Sequence, residues 1–243
     1  MKHGLSIWRY FLDGTPEYLA RHYWWAYLWK PAIRFFDHQP IINSILFGQY
    51  QNLLEQTLKL LEGHPAGRLL QLTCVYGKLT PKLLRTQTAN GLYLIDVCQE
   101  QLNASLRRLD PTEQDQLYAA RMNAEELAFS SNSFSTVLIF FLMHELPVEA
   151  RKAVLRETLR VMSPGSRLLI TEYGHLPDRH WIYRFAPLRW QLLFWEPFLD
   201  AFWREDLTKK LQKAASHWDK KVTLKKEKLV FKGFYRVACY QVD

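Results

Sequence analysis

Short apolar segments alternate with helical patterns between residues 68 and 175 of the chain. Helical patterns occupy residues 81–85, 101–108 and 148–162, and Pro164-Gly165 is predicted to separate the last of them from the next strand. This alternation predicts an α/β fold in which helices cover both faces of a mostly parallel sheet. Five segments have the length and residue types of strands: RLLQLT, LYLID, QLYAAR, STVLIFFLM and SRLLITEY.

The regions on either side of this alternation have a different pattern. Residues 1–62 are predicted to form a helical, aromatic cap, with helix starts near Pro16 and Pro31 and a helix from Pro40 to Leu61. An aromatic helical insertion is predicted next, and the segments KKVTLKK and YRVACYQV then predict two final strands. We expect a single domain over residues 1–243, with its core at 68–175, the insertion at 178–212 and the last strands at 218–242.

Composition narrows the class of protein further. A chain of 243 residues with 48% hydrophobic residues can bury a full core. Its three cysteines, Cys74, Cys98 and Cys239, have the spacing of neither a disulfide framework nor a zinc knuckle. The longest apolar run, Val137 to Met143, is far shorter than a membrane span. We therefore expect a soluble or peripheral protein from a reducing compartment.

Charge and aromatic content suggest a partner. The net charge is +8, which would suit either nucleic acid or an anionic membrane, and 14% of the residues are aromatic. Tryptophan, tyrosine and arginine are interleaved over His22–Phe36 and Arg179–Asp206, a mixture typical of a lipid headgroup boundary. We therefore predict a membrane surface and no nucleic acid as the partner. An aromatic cap over an apolar pocket is a compatible alternative.

The segment LLQLTCVYGKLT, residues 69–80, has the form of a nucleotide-binding loop with altered residues. Such loops usually carry an acid in the strand and three glycines in the turn. Here Gln71 replaces the acid, Thr73 and Val75 replace two glycines, and Gly77 alone remains. Thr80-Pro81 is predicted to begin the following helix.

Two further strand ends carry candidate binding residues. Asp96 ends the second strand about 20 residues after the loop, where a carboxylate can accept hydrogen bonds from an adenosine ribose. Asn123-Ala124, predicted to end the third strand, could contact an adenine edge. Aspartate and asparagine are also common in turns, so a purely structural role stays open for both.

The fourth strand ends in His144-Glu145, at the edge where an open parallel sheet binds ligands. These two side chains could act as a base and its orienting partner, or as metal ligands. A helix-capping pair or a buried histidine is the structural alternative. Glu172-Tyr173 ends the fifth strand at the same edge, and His22 could join if the N-terminal helices fold over it.

Two long segments, AEELAFSSNSFSTVLIFFLMHELP and RETLRVMSPGSRLLITEY, resemble the ubiquinone and menaquinone methylases of the class I S-adenosylmethionine-dependent methyltransferase family. HYWWAY, TCVYG, FFLMHE, EPFLDAFWRED and TLKKEKLVFKGFYR resemble the narrower RquA family of rhodoquinone biosynthesis proteins. The resemblance implies a seven-stranded, Rossmann-like sheet. It also implies replacement of a methoxy group of ubiquinone by an amino group, with S-adenosylmethionine as nitrogen source and manganese(II) as the metal.

Roles for individual residues follow from this resemblance and from the strand ends. The cofactor residues are predicted to be Thr73, Cys74, Val75, Tyr76, Gly77, Asp96, Val97, Asn123, Ala124 and Phe140. The predicted catalytic residues are His144, Glu145, Tyr76 and His22, and candidates for the metal are His144, Glu145, His22 and Glu172. The predicted substrate residues are Trp24, Trp25, Tyr27, Phe141, Tyr173 and Trp195.

The function expected at this point is therefore rhodoquinone formation from a prenylated quinone, at the cytoplasmic face of the inner membrane. One alternative is a true methyltransferase that acts on a quinone or another lipophilic substrate. The other is a non-catalytic, lipid-binding subunit of a quinone pathway, which a degenerate loop would favour. The oligomeric state is left open.

Overall fold

The computed structural model of the chain describes residues 14–63, 67–86 and 91–243. The first thirteen residues of the predicted cap lie outside this range. Within the described part of the chain, no helix is long and apolar enough to cross a membrane.

Seven strands form one sheet, as predicted. Their order is β3-β2-β1-β4-β5-β7-β6, with β1 to β5 parallel and β7 antiparallel to both of its neighbours. Strand order reverses between β1 and β4, so the carboxyl ends of these strands bound the crevice in which such sheets bind ligands. The strands are β1 (Leu69–Gln71), β2 (Leu92–Asp96), β3 (Leu117–Arg121), β4 (Phe134–Phe140), β5 (Met162–Tyr173), β6 (Val222–Val230) and β7 (Tyr235–Val242).

Helices precede the sheet, connect its strands and form the insertion before β6. The described part of the N-terminal cap contains five: α1 (Glu17–His22), α2 (Trp24–Tyr27), α3 (Lys30–Phe36), α4 (Gln39–Ile45) and α5 (Tyr50–Leu61). The connections contain α6 (Leu79–Thr86), α7 (Gln99–Leu106), α8 (Pro111–Gln114), a 3₁₀ helix (Met143–Glu145) and α9 (Val148–Val161). The insertion contains α10 (Trp181–Arg184), α11 (Ala186–Trp195), α12 (Leu199–Trp203), α13 (Leu207–Ala215) and a 3₁₀ helix (Ser216–Trp218).

Several predicted boundaries were wrong for local reasons. The helix predicted from Pro40 to Leu61 is two helices, because Phe47 and Gly48 have φ of 50° and 76° and break it. Strand β1 ends two residues earlier than predicted. Strand β3 ends at Arg121, before Asn123-Ala124, and β4 ends at Phe140, so His144-Glu145 lies in the 3₁₀ helix that follows the strand. Pro164-Gly165 does not precede β5 but lies within it, where the pairing with β4 shifts register.

Hydrogen bonds from the cap and from Arg108, which follows α7, hold the loop after β1 in place. Arg108 donates to the carbonyl oxygens of Val75 and Gly77, each at 3.0 Å, and pairs with Asp37. The Asp37 carboxylate in turn accepts from the Gly77 N–H at 3.2 Å. Tyr50 is completely buried beneath the loop, and its hydroxyl accepts from the Lys78 N–H at 2.7 Å. The loop therefore has a fixed shape that its own sequence does not determine.

Gly77 allows this close approach. Its φ is +88°, and a Cβ atom added there would lie 2.5 Å from the Tyr50 hydroxyl oxygen. We expect Gly77→Ala to lose roughly 1 to 3 kcal/mol more free energy of unfolding than Gly165→Ala, measured by urea denaturation. Gly165 is the matched control because its φ is +78° and a Cβ atom added there would have no neighbouring atom within 4 Å. Equal losses in the two variants would contradict the steric account.

Candidate functional site

Two cavities open at the carboxyl ends of the strands. We call the first the Asp96 cavity; its lining includes Thr73, Cys74, Asp96, Val97, Asn123 and Ala124. We call the second the His144 cavity; its lining includes Trp25, Ile45, Val75, Tyr76, Phe140, His144, Tyr173 and Glu196. The cavities share a wall made of Tyr27, Cys74, Phe141 and Glu145. Two ligands bound in these cavities would therefore meet at this shared wall.

Asp96 connects the first cavity to the loop after β1. One carboxylate oxygen accepts from the Cys74 N–H at 2.9 Å and from the Thr73 hydroxyl at 3.1 Å, and the other accepts from the Cys98 N–H at 2.7 Å. Burial raises the pKa of Asp96, and these donors oppose the shift. A carboxylate has about four acceptor positions, so capacity remains for a ribose hydroxyl.

Gln71, which replaces the acid usual in such loops, faces the protein interior. Its side-chain N–H₂ donates to the Thr73 carbonyl at 2.8 Å, and its oxygen accepts from the Thr80 hydroxyl at 3.1 Å. Both groups of this amide are therefore used inside the fold, and Gln71 is only 1% exposed. Thr80 was predicted as the N-cap, but α6 begins at Leu79 and the threonine bonds Gln71 instead. The loop offers no side-chain charge to a ligand at position 71.

His144 is fixed by a buried carboxylate behind it. Glu172, completely buried, lies 2.9 Å from the His144 Nδ1 atom and accepts from the backbone N–H groups of Met143 and Tyr173. The opposite ring nitrogen, Nε2, points toward the second cavity, 3.7 Å from Glu196 and 4.0 Å from Glu145. Glu172 therefore fixes the orientation of the ring through Nδ1, and Nε2 faces the His144 cavity.

The N-terminal cap closes over the site through tyrosine hydroxyl groups. Tyr27 donates to Glu145, and Tyr23 donates to Glu196 at 3.0 Å. A third hydroxyl, from Tyr18, donates to Glu125 at 3.0 Å. Because these bonds join α1, α2 and the residue between them to three separate parts of the chain, the cap forms the roof of both cavities.

Burial and charge shift the pKa values of this cluster. Burial alone would lower the pKa of His144, but the carboxylates of Glu172, Glu196 and Glu145 raise it to about 9. Burial raises the pKa of Glu145 and of Glu196, and the nearby His144 opposes both shifts. The pKa of Glu145, about 8, therefore lies closer to neutral pH than that of an isolated carboxyl group, whereas His144 keeps its proton at neutral pH.

Phe141 is the residue of the shared wall with an unusual backbone. Its φ is +53°, in the left-handed region that bulky residues rarely adopt. The Phe141 N–H donates to the Thr171 carbonyl at 2.8 Å, and its ring packs edge-on against His144 and Tyr173. Strain of this kind is typically held at functional sites by the surrounding packing.

The structure brings most of the predicted cofactor residues together, but it divides the residues of the loop after β1 between the two cavities. Thr73, Asp96, Val97, Asn123 and Ala124 line the first cavity as expected for cofactor residues, whereas Val75, Tyr76 and Phe140 line only the second. Gly77 lines neither of these two cavities, because it packs on Tyr50. Cys74 lines both.

The predicted catalytic residues divide similarly. His144, Glu145 and Tyr76 line the second cavity, but the Tyr76 hydroxyl is used in bonds to Ala26 and Gln101. His22 lies outside both cavity linings, with its ring against Phe198.

Among the predicted substrate residues, Trp25, Tyr27, Phe141 and Tyr173 line the second cavity. Trp24 and Trp195 do not; they are 52% and 46% exposed at the surface. These two tryptophans therefore belong to the protein surface and not to the lining of the cavity.

The described residues do not fit the metal that the resemblance implies. Across residues 14–63, 67–86 and 91–243, no three His, Cys, Asp or Glu side chains form a group able to hold a metal ion. Glu172 is used by His144 and by backbone N–H groups, while Glu145 and Glu196 are bound by tyrosines. These carboxylates are therefore committed to partners within the protein.

Glu196 and Tyr23 are site residues that sequence reasoning missed. Glu196 lies in the insertion at the end of α11, and Tyr23 lies between α1 and α2, 173 positions away in sequence. A glutamate within the apolar run RWQLLFWEPF was the available signal, because burying a carboxyl group beside so many apolar residues requires a partner.

Comparisons with known proteins agree with this geometry. Residues 69–165 match the methyltransferase domain family. Over 137 residues, the chain is 31% identical to a ubiquinone/menaquinone biosynthesis C-methyltransferase of Vibrio cholerae, covering 55% of this chain and 52% of that protein. It is 25% identical over 138 residues to a demethylmenaquinone methyltransferase of Bacillus mycoides, covering 56% and 57% of the two chains. The chain thus spans about half the length of the curated relatives it matches.

Solved structures extend the likeness beyond the core. An N-methyltransferase, NodS, from Bradyrhizobium japonicum in complex with S-adenosylhomocysteine superposes with a TM-score of 0.54 at 13% identity, covering 78% of this chain and 85% of that chain. An O-methyltransferase family protein from Burkholderia thailandensis gives a TM-score of 0.60 at 14% identity, covering 89% and 63%. The fold is the class I methyltransferase fold. In this fold the Asp96 cavity, at the carboxyl ends of β1 and β2, occupies the ligand-binding crevice.

The cluster around His144 predicts that stability falls as pH rises. His144, Glu145 and Glu196 all have raised pKa values, so each binds more protons in the folded chain than in the unfolded chain. The contribution of His144 is complete below its unfolded pKa of 6.5 and is lost as pH passes through about 9. We expect the melting temperature to fall by roughly 4 to 10 °C between pH 6.5 and 9.

The variant His144→Gln should lose part of this pH dependence, whereas the exposed control His217→Gln should keep it. Melting curves followed by circular dichroism over this pH range provide the measurement. If the melting temperature of His144→Gln depended on pH as strongly as that of the parent, the histidine would not titrate as described.

Proposed function

We propose that this chain transfers the amino group of S-adenosylmethionine to a prenylated quinone and displaces a methoxy group. The adenosyl part of the donor binds in the Asp96 cavity, with its ribose on Asp96 and its adenine near Asn123 and Ala124. The quinone ring binds in the His144 cavity. The observation that carries this proposal is the combination of an uncharged, internally bonded Gln71 with a carboxyl group, Glu145, in the wall shared by both cavities.

The positions of Gln71 and Glu145 determine where the amino group of S-adenosylmethionine is expected to lie. An acid at position 71 would hold the donor's ammonium group against the loop by charge attraction. Gln71 removes that attraction, and Glu145 places a carboxyl group where the donor and the quinone meet. The ammonium group must lose a proton before its nitrogen can attack a ring carbon. Glu145, with a pKa raised by burial, is the group positioned to accept that proton.

In this scheme Glu145 accepts a proton, and His144 donates the proton that the leaving methoxy group needs. The new bond joins the donor nitrogen to the ring carbon as the bond from that carbon to the methoxy oxygen breaks. The departing methoxide takes a proton from His144 Nε2 and leaves as methanol, and the substituted nitrogen returns a proton to His144. The bond between the nitrogen and the donor's α-carbon then breaks by β-elimination, in which the nitrogen keeps the electron pair. Glu145 gives its proton to this nitrogen and takes one from the donor's β-carbon, so that the aminoquinone and an α,β-unsaturated donor fragment are released. Glu172 keeps the imidazolium charged and oriented through Nδ1.

Methyl transfer to a quinone ring carbon is the second candidate. The observation that favours it is the sequence similarity to quinone C-methyltransferases over the central part of the chain. In that reaction the sulfonium methyl group, rather than the amino group, would face the shared wall. The same two cavities would serve both reactions, so the product separates the two candidates.

The product identifies the reaction. Purified protein given a ubiquinone analogue and S-adenosylmethionine, with and without added manganese(II), should yield a product lighter than its substrate because a smaller amino group replaces a methoxy group. Nitrogen-15 in the donor's amino group should appear in that product by mass spectrometry. Glu145→Gln should slow the reaction roughly 100-fold, as expected for loss of a group that exchanges protons with the reactants.

The exposed Glu149→Gln is the matched control and should retain parental activity. All ring carbons of ubiquinone are substituted, so methyl transfer is tested with a demethylated quinone analogue that has a free ring carbon. A heavier product from that analogue, with no lighter product from the ubiquinone analogue, would establish methyl transfer instead. Absence of both products, with no binding of S-adenosylmethionine by calorimetry, would favour a non-catalytic role.

A further inference from the structure

Large hydrophobic side chains are exposed mainly on one part of the molecule. Fourteen such residues are exposed in the described chain, and ten of them lie within residues 24–45 and 181–195. We call these ten residues the aromatic face: Trp24, Leu28, Trp29, Phe35, Ile45, Trp181, Phe185, Trp190, Phe194 and Trp195.

Helix α11 shows how unusual this face is. Its sequence is APLRWQLLFW, yet none of its ten residues is buried. A helix that is apolar on nearly all sides is normally covered by other structure. Trp190 and Phe194 are 70% and 63% exposed and stack on each other. The helix therefore exposes apolar area that its own chain does not cover.

The two segments of the aromatic face adjoin each other and the mouth of the His144 cavity. The ring of Trp25 packs edge-on against Trp195, with ring centroids 4.9 Å apart, and Tyr23 bonds Glu196. Trp25 and the half-exposed Ile45 also line the cavity. An apolar chain lying along the aromatic face would thus have direct access to the cavity.

Exposed cations accompany the aromatic residues. Arg21, Lys30 and Arg34 lie on the cap helices, and Arg184 precedes α11. Tryptophan rings together with arginine and lysine are the combination that binds the headgroup region of an anionic bilayer. A second copy of the chain seated on this face would cover the entrance to the cavity, whereas a bilayer would supply an apolar chain through it.

We propose that the aromatic face docks on an anionic lipid bilayer, with α11 lying in the interface, and that the His144 cavity takes its substrate directly from the membrane. The second part rests on the proposed lipophilic quinone. The docking itself does not, so it can be tested without any substrate.

Vesicle flotation tests the docking. Full-length chain without substrate is mixed with vesicles of phosphatidylcholine containing about one third phosphatidylglycerol, a fraction chosen to mimic an anionic surface. The double variant Trp190→Ser with Phe194→Ser should bind at least roughly tenfold more weakly than the parent. Leu224→Ser with Leu229→Ser is the matched control, because these side chains are exposed on β6, outside the aromatic face, and it should bind as the parent does. Binding should also weaken in phosphatidylcholine alone and at high salt.

The other outcomes overturn the proposal. Equal binding by the Trp190/Phe194 variant and the parent would show that the face does not dock. The parent protein could instead fail to bind vesicles and form a dimer, measured by light scattering. Loss of that dimer in the Trp190/Phe194 variant would then assign the face to contact with a second copy of the chain. Calorimetry with S-adenosylmethionine in the absence of vesicles reports on the proposed function alone, so the two failures are distinguishable.

Discussion

The buried contact between Glu172 and His144 determines the geometry of the site. Glu172 lies near the end of β5 and accepts from the backbone N–H groups that begin the 3₁₀ helix after β4, as well as facing the imidazole. This single carboxylate therefore fixes both the turn and the ring. With the turn fixed, His144 presents Nε2 to one cavity and Glu145 enters the wall between two cavities. Removing Glu172 would leave a buried cation without its partner, a change that is costly in a protein interior.

The N-terminal cap depends on the same cluster. Tyr27 and Tyr23 reach Glu145 and Glu196, so the carboxyl groups that surround His144 also hold the roof of the site. The cap in turn supports the loop after β1, through the bond from Tyr76 to the Ala26 carbonyl. Cap, loop and the cluster around His144 consequently form one connected network. This coupling accounts for a loop that lacks the usual glycines and still has a defined shape.

The sheet was predictable from sequence because parallel strands are buried on both faces and stand out as short apolar runs. Asp96, His144 and Glu172 were predictable as site residues because each lies at or near a strand's carboxyl end. Glu196 and Tyr23 were not, since their role depends on a contact between segments 173 residues apart. Likewise, Gly77 was assigned to the cofactor from the loop pattern, whereas packing against Tyr50 explains it. Sequence pattern thus located the carboxyl edge of the sheet to within a few residues, and long-range packing determined which side chains face each cavity.

In the proposed reaction, the donor's amino group lies at the wall shared by the two cavities rather than against the loop after β1. A crystal structure of the chain with S-adenosylmethionine would test this most directly. We expect the ribose on Asp96 and the amino nitrogen within hydrogen-bonding distance of Glu145. An amino nitrogen held by the backbone of residues 71–75, with the sulfonium methyl group directed at the His144 cavity, would contradict it and would indicate methyl transfer.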